Sequence, residues 1–536
     1  MRMFGTNGVR GIANEDMDCG LALAMGKAVR MVLGTRIAVA CDPRTSSPML
    51  KNALCAGLMS VGADVLDLGM VPTPALQHYV KVRDDVTGGV MITASHNPPE
   101  FNGIKCVAGD GTECTKEQEN SIESFYHDGA DDVTWHDIGR LVTVSDAAEE
   151  YVASILSNVD VDAIRDAGLK VVLDCANGCS CHTSPALMEK LGVTAIILNG
   201  EPDMRDPAHL SEPTEDNLSE LLEEVRSNGA DLGIAHDGDA DRCVFVTSEG
   251  KYIPGDLALA ILGRYLMERG GGGKVVVTVA TSRVVEDTVK TVGGETVYTA
   301  VGSPIVARRM ASDDAVFGGE ENGGLIFASH QFCRDGGMGA AMMLECIART
   351  GSLKDLASTL PTFHTIKKAV RCPDHLKDRI TEEIASNHPT DRMDRTDGLK
   401  LLFDDGWVLL RPSGTEPKYR IYSESDSLEM AEMRSTGFAE EFERTLRGLE
   451  RSVPLGELSL QLHDRPDLRR IDPAHAGHVY GHVVSEDDRP EHVLKGGRAS
   501  QSHRTAPGGR ALHTGDDVLE VRGPVAHVII APDEDE

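Results

Sequence analysis

RIAVACDPRTSSPMLKNALCAGLMSVGADVLDLG, residues 36–69, carries the alternation that decides the fold. It opens with an apolar, β-branched run (36–42), turns at DPRTSS, and then sets Leu50, Leu54, Leu58 and Val61 at i, i+4, i+8 and i+11. That spacing puts four apolar side chains on one face of a helix. Gly62 ends the helical pattern, and ADVLDLG supplies a second apolar run. Strand, helix, strand at this spacing is a βαβ unit and predicts mixed or parallel sheets layered with helices.

The same order returns at 169–199 (LKVVLDCAN to LGVTAIILN) and at 274–302 (KVVVTVATS to GGETVYTAVG). Three similar α/β domains in series, built by repetition, are therefore expected. From about Ala369 the style changes, and HLKDRITEEIA, GLKLLFDDGWVLLRPSG and SLEMAEMRSTGFAEEFERTLRGL read as a smaller α+β domain. Past about Glu450 it changes again. The last 86 residues hold 8 of the 19 histidines at irregular spacing, with many prolines and glycines and one strand-like run, PVAHVIIAP. This stretch reads as a poorly ordered extension or an unnatural gene end. The expected boundaries are 1–148, 149–252 and 253–366 for the α/β domains, 367–448 for the α+β domain and 449–536 for the extension.

A chain of 536 residues suits three to four domains. Acids outnumber bases 85 to 53, giving a formal charge of −32. That argues against nucleic acid and anionic membrane as partners, since both need basic surface. No apolar run approaches the ~20 residues that span a bilayer, and MRMFGTNGVRG has no apolar core of a signal peptide. A cytoplasmic protein is expected. With 17 Lys against 36 Arg and 4% aromatics, the composition is that of a protein working in concentrated salt, which screens the self-repulsion of so acidic a chain. The twelve cysteines are scattered. Cys175, Cys179 and Cys181 lack zinc-ribbon spacing, so reduced thiols are expected.

Four segments carry chemistry. In HDGDADRC, Asp237, Asp239 and Asp241 stand at i, i+2 and i+4 in a glycine-containing loop between two apolar runs. In an extended loop this spacing turns three carboxylates to one side, where they can share a hard divalent cation. An EF-hand fails, because its sixth position is Arg242 and its twelfth Ser248. In MITASHNPPEFNGIK, Ser95 ends an apolar run beside His96, with Lys105 ten residues on; it is a candidate nucleophile or phosphate carrier. No GxSxG elbow is present. In LLRPSGTEPKYRIY, Arg411, Ser413, Gly414 and Thr415 form a donor-rich loop and Arg420 follows on a strand-like run. Guanidinium forks, hydroxyls and bare amides suit a phosphate. In FGGEENGGLIF, Glu320 and Asn322 sit among glycines and can reach sugar hydroxyls. Arg10, among the glycines of FGTNGVRG, is a further candidate anion contact.

TASHNPP, DGDADR and RPSGTEP, with the glycine-flanked loop between the last two, occur here in the order of the α-D-phosphohexomutases, which the chain resembles over residues 1–448. The resemblance implies a four-domain, heart-shaped enzyme with its site in a central cleft. It implies that Ser95 is a phosphoserine whose phosphate completes the shell of one Mg²⁺ on Asp237, Asp239 and Asp241. Glu320 and Asn322 would contact the sugar, and Arg411, Ser413, Gly414, Thr415 and Arg420 the non-reacting phosphate. Arg10 and Lys105 match positions near the phosphoserine, and Arg242 matches the arginine that ends the metal loop.

FGTNGVRG looks most like the phosphoglucosamine mutase branch, particularly its archaeal members. The implied reaction interconverts glucosamine 6-phosphate and glucosamine 1-phosphate through a sugar bisphosphate, which also serves as activator. Hexose or hexosamine phosphates are the expected partners, and the chain a monomer or homodimer. Bacterial members have aspartate where Asn7 stands and GEQSGH where this chain has GEENGG, so Asn322 and Gly324 replace a serine and a histidine. Phosphomannomutase/phosphoglucomutase activity is the alternative; a Mg²⁺-dependent sugar phosphatase and a catalytically silent sugar-phosphate-binding protein are rivals of other classes. His96, Lys105 and His330 are the candidate general acid and base, with His330 able to replace the missing imidazole if the fold returns it to the cleft.

Overall fold

Residues 3–5, 8–390, 392–414 and 417–452 are described by a computed structural model. In the first repeat, Arg36–Cys41 and Asp64–Met70 pair in parallel, joined by the helix Ser47–Ser60. Leu50, Leu54 and Leu58 are fully buried on one face of that helix, and Val61 is buried just past its end.

The three α/β domains repeat one sheet pattern. The inner strand of each βαβ unit also pairs in parallel with a third strand, which then pairs antiparallel with a fourth. In the first domain the third and fourth strands are Gly88–Ile92 and Phe101–Ala108. In the second they are Leu232–His236 and Cys243–Thr247, beside Lys170–Asp174 and Thr194–Leu198. In the third they are Phe317–Glu320 and Gly324–Phe327, beside Lys274–Thr278 and Glu295–Thr299. The connection between the third and fourth strands therefore emerges at the same place in every domain. It carries Ser95 in the first, the three aspartates in the second, and Asn322 in the third, directly after Glu320 at the strand's end.

One apolar cluster runs through all three, from Leu76 and Tyr79 through Tyr151, Leu187 and Phe245 to Leu259, Phe317 and Met338. The fourth domain is an antiparallel five-stranded sheet backed by Lys377–Asn387 and Leu428–Ser452, with its own core around Leu410, Tyr419, Phe438 and Phe442. Trp407 and Leu409 dock it on Val279 and Ala280 of the third. Its first strand begins at His364, opposite Ser425, and its last helix runs to Ser452, with Leu449 buried against the domain core. The fourth domain thus extends past both of the bounds, 367 and 448, read from composition. Of the expected extension, residues 453–536 lie outside the described residues.

All twelve cysteines are free thiols. Among the described residues no helix is long and apolar enough to cross a membrane.

Candidate active site

The buried strand Gly88–Ile92 leads into Thr93 and Ser95, whose φ of +54° is a left-handed value that a non-glycine residue keeps only when its surroundings hold it. Thr93 Oγ1 accepts from the Ser95 amide at 2.8 Å. The Ser95 carbonyl accepts from Arg44 Nη2 at 2.8 Å and from Ser211 Oγ at 3.3 Å. Arg44 is fully buried and pairs with Asp42 at 3.0 Å. Its other N–H groups go to the carbonyls of Asn97 (2.6 Å), Pro98 (2.6 Å) and Phe101 (3.0 Å). One guanidinium thus gathers four carbonyls of the serine loop. Sequence reading passed over Arg44 as part of a turn; the available signal was a charged pair, Asp42 and Arg44, at the carboxyl end of a parallel strand, where α/β sheets build sites.

The aspartate loop lies directly against this serine. Ser95 Oγ donates to Asp237 Oδ2 at 2.7 Å. A Cβ on Gly238 would stand 2.5 Å from the Ser95 carbonyl oxygen, so the approach of the two loops requires glycine there. Asp237, Asp239 and Asp241 are all buried, with a ligating oxygen from each within 4.8 Å of the others. Lys105 Nζ bonds Asp239 Oδ2 at 2.5 Å and Asp241 Oδ2 at 3.2 Å, and Thr73 Oγ1 donates to Asp239 Oδ2 at 2.6 Å. Arg242 Nε lies 3.7 Å from Asp237 and 3.8 Å from Asp241.

Burial, with Asp241 and Asp239 alongside, pushes the Asp237 carboxyl up to about 8. Burial acts the same way on Asp239 and Asp241. There the cations win, Lys105 foremost for Asp239 and Arg334 for Asp241, and both are held below the usual carboxylate range. Asp239 Oδ1 and Asp241 Oδ1 are buried with no hydrogen-bond partner. Oxygen donors left open beside a carboxylate that resists ionising fit a hard dication such as Mg²⁺.

Around this pair of loops, Arg10 Nη1 donates to Asn97 Oδ1 at 2.7 Å. His96 Nδ1 lies 3.4 Å from Ser95 Oγ and 2.8 Å from Arg242 Nη2. Burial, then Arg242 and Arg10, push His96 down to about 3, so its ring is neutral at pH 7. On the third domain's hairpin, Glu320 is buried while Asn322 is exposed, its Oδ1 accepting from Gly324 N at 3.1 Å. Arg334, which sequence reading did not single out, joins the hairpin to the aspartates: Nη1 donates to Glu320 Oε2 at 3.1 Å and Nη2 to Asp241 Oδ2 at 2.6 Å.

His330 does not return to the cleft. Its ring stacks on His78 at 5.3 Å, with Ser154 and Asp335 at its nitrogens and Tyr151 alongside, at the junction packed behind the hairpin. The expectation that it replaces a missing imidazole is corrected: the strand Gln331–Arg334 aims Arg334, not His330, at the acidic loops.

In the fourth domain, Arg411 and Arg420 stand opposite each other on antiparallel strands. Arg411 Nε donates to Asp397 Oδ2 at 2.6 Å, and guanidinium forks on facing strands suit a phosphate. Ser413 is buried and Gly414 exposed; Thr415 lies outside the described residues. A cavity of about 730 Å³ opens beside this loop, between Phe4, Gly5, Lys116, Gly302, Arg411 and Gly414.

Three α/β domains that each offer one loop to a shared cleft, closed by a fourth domain bearing paired arginines, define a phosphohexomutase. The comparisons agree. Residues 1–132, 149–250 and 254–363 match "Phosphoglucomutase/phosphomannomutase, alpha/beta/alpha" domains I, II and III, and 368–436 match the C-terminal domain of the same family. A "Probable phosphoglucosamine mutase" from Methanopyrus kandleri is 42% identical over 434 residues, 80% of this chain and 95% of the relative. A "Phosphoglucomutase/phosphomannomutase" from Thermococcus kodakarensis is 40% identical over 440 residues, 80% of this chain and 96% of the relative. A solved phosphoglucomutase/phosphomannomutase family protein from Burkholderia thailandensis superposes with a TM-score of 0.75 at 27% identity, over 84% of this chain and 98% of that one. The chain belongs to the phosphoglucomutase/phosphomannomutase family and is an enzyme of the isomerase class.

Proposed function

We propose that the protein interconverts glucosamine 6-phosphate and glucosamine 1-phosphate, carrying the phosphoryl group on Ser95, with one Mg²⁺ held by Asp237, Asp239 and Asp241 and a hexose bisphosphate as activator. The observation that carries the proposal is the 2.7 Å contact from Ser95 Oγ to Asp237, inside a buried triad with unpartnered oxygens. When bound there, the dication supplies charge compensation for the oxygens of a transferring phosphoryl group.

The chain's own residues do the rest. Arg44 and Thr93 hold the Ser95 backbone so that Oγ faces the cleft. The Oγ–P bond breaks as the sugar hydroxyl oxygen bonds phosphorus and the hydroxyl proton passes to Oγ; the bisphosphorylated sugar turns end for end, and its other phosphate returns to Oγ as the Oγ proton passes back to the freed sugar oxygen. Lys105 is kept charged by Asp239 and Asp241 against the pull of burial, and with Arg10 and Arg242 it adds positive charge near Oγ. Arg242 donates to His96 Nδ1 and fixes the ring beside Ser95. Glu320 and Asn322 take sugar hydroxyls, while Arg411, Ser413, Gly414, Thr415 and Arg420 take the phosphate that is not reacting. Ser95 is 1% exposed, a position that limits loss of its phosphate to water.

Several archaeal relatives named probable phosphoglucosamine mutase favour the amino sugar. Asn322 and Gly324 on the sugar hairpin, with the 40% identical phosphoglucomutase/phosphomannomutase, favour a second reading, mannose or glucose phosphates. Phosphorus NMR of the protein with Mg²⁺, KCl and a trace of hexose bisphosphate, supplied separately with glucosamine 6-, mannose 6- and glucose 6-phosphate, separates them. Preference for the glucosamine substrate is expected. Equal or faster turnover of either hexose phosphate replaces the substrate, and inorganic phosphate accumulating in step with substrate loss replaces the mutase with a phosphatase.

A further inference from the structure

We infer that Asp397 is a positioning residue that registers the phosphate clamp of the fourth domain against the sugar hairpin of the third; the inference deepens the proposed function and rests on it. Asp397 stands in the turn before the strand Leu399–Phe403. A single oxygen, Oδ2, accepts from Arg411 Nε at 2.6 Å and from the amide of Val301 at 3.0 Å. The next amide along, Gly302 N, donates to Glu320 Oε1 at 3.1 Å. Two consecutive amides of one third-domain loop therefore hold the carboxylate behind the phosphate clamp and the carboxylate of the sugar hairpin.

The turn itself is built for this. Gly398 has φ +87°, and a Cβ there would meet the Leu410 carbonyl oxygen at 2.3 Å and Arg411 Cα at 3.0 Å. Only glycine lets the turn lie flat on the strand that carries Arg411. With Nε held, the plane of the guanidinium is fixed, and its two terminal nitrogens make no hydrogen bond to the described residues. Those nitrogens are the fork that engages a phosphate bidentately. A substrate that binds in two orientations needs the spacing between phosphate and sugar contacts held constant, and Asp397 bridges the two.

Both bonds converge on one oxygen, and this gives the test a signature. An asparagine keeps an acceptor at that position, whereas an alanine removes it. Steady-state kinetics on the fastest sugar phosphate are compared for wild type, Asp397→Ala, Asp397→Asn and Arg411→Ala, with melting temperatures alongside. Asp397→Ser serves as the truncation if the alanine variant does not fold. The expected result is a KM raised at least about tenfold in Asp397→Ala with kcat changed by less than about threefold, as suits a misaimed contact. Asp397→Asn should recover most of that loss. Unchanged KM in Asp397→Ala while Arg411→Ala raises it overturns the inference, as does an asparagine variant no better than alanine or a loss confined to kcat. If Arg411→Ala leaves KM unchanged, the assignment of Arg411 to phosphate falls instead.

Discussion

The serine end of the cleft and the phosphate clamp across from it meet opposite demands with opposite construction. At the serine end, Ser95, the three aspartates, Lys105 and Arg44 are all at most 2% exposed, and the loops of two domains are joined by direct charge contacts. At the clamp, Arg411 and its partner Asp397 are partly open, at 14% and 20%, and Gly414 is bare. A group that is phosphorylated and must not lose its phosphate to water gains from burial, because electrostatic contacts are stronger where water is absent. A contact that must accept either phosphate of a turning intermediate gains from access. Breaking the first region should therefore abolish chemistry or folding, and breaking the second should shift binding or pH response.

The largest expected effect is on chemistry. Ser95→Ala should lower mutase turnover by more than about 10⁴-fold, as removal of a covalent carrier does, while the melting temperature stays near wild type. A variant retaining a tenth of the activity would separate Ser95 from the reaction.

Next comes the buried scaffold. Arg44→Met leaves Asp42 buried without its cation and four loop carbonyls without donors, and should cost about 3–5 kcal/mol by urea unfolding, the range for breaking a buried ion pair from one side. A change below about 1 kcal/mol would mean that the loop holds its shape without this guanidinium.

At the clamp's junction with the third domain, Lys400 is buried, bonds the Val279 carbonyl at 2.7 Å and stands 4.2 Å from the Trp407 ring. Burial outweighs Glu424, Asp394, Glu286 and Asp256 and brings its ammonium down to about 8. The unfolded chain then binds more protons than the folded one between pH 8 and 10.5, so this group makes stability rise with pH across that window. Lys400→Met should remove that rise, worth at most about 3–4 kcal/mol across the whole window. Parallel stability–pH curves for the two proteins would contradict it.

The smallest expected effect is spread over the surface. Raising KCl from about 0.1 M to about 1 M shrinks the screening length from ~10 to ~3 Å and should lift the melting temperature of this −32 chain by a few degrees. A flat or falling curve would remove the inference of salt adaptation.

The four loops and the repeated α/β domains were legible in the sequence because their signals are local. Three carboxylates alternate in HDGDADRC, and apolar residues recur at helical spacing between apolar runs. Arg44, Arg334 and Asp397 were not, and for one physical reason. Each has a near partner, Asp42, Glu320 and Arg411, but the contacts that give it a role reach loop carbonyls 51 to 57 residues away, a carboxylate 93 residues away and an amide 96 residues away. No spacing rule links such residues until the sheets are assembled. His330 failed in the opposite sense: an imagined long-range return was not made, because His330 sits in the turn ahead of the strand Gln331–Arg334, stacked on His78, while the strand's last residue, Arg334, reaches the acidic loops.

The most direct test of the central claim follows the phosphate itself. The protein is phosphorylated with a hexose bisphosphate, the modified peptide is mapped by mass spectrometry, and a sugar monophosphate is then added. The expected result is one phosphate on Ser95 that moves quantitatively to the sugar. Phosphate on another residue, or its release as inorganic phosphate when the sugar is added, would contradict the account.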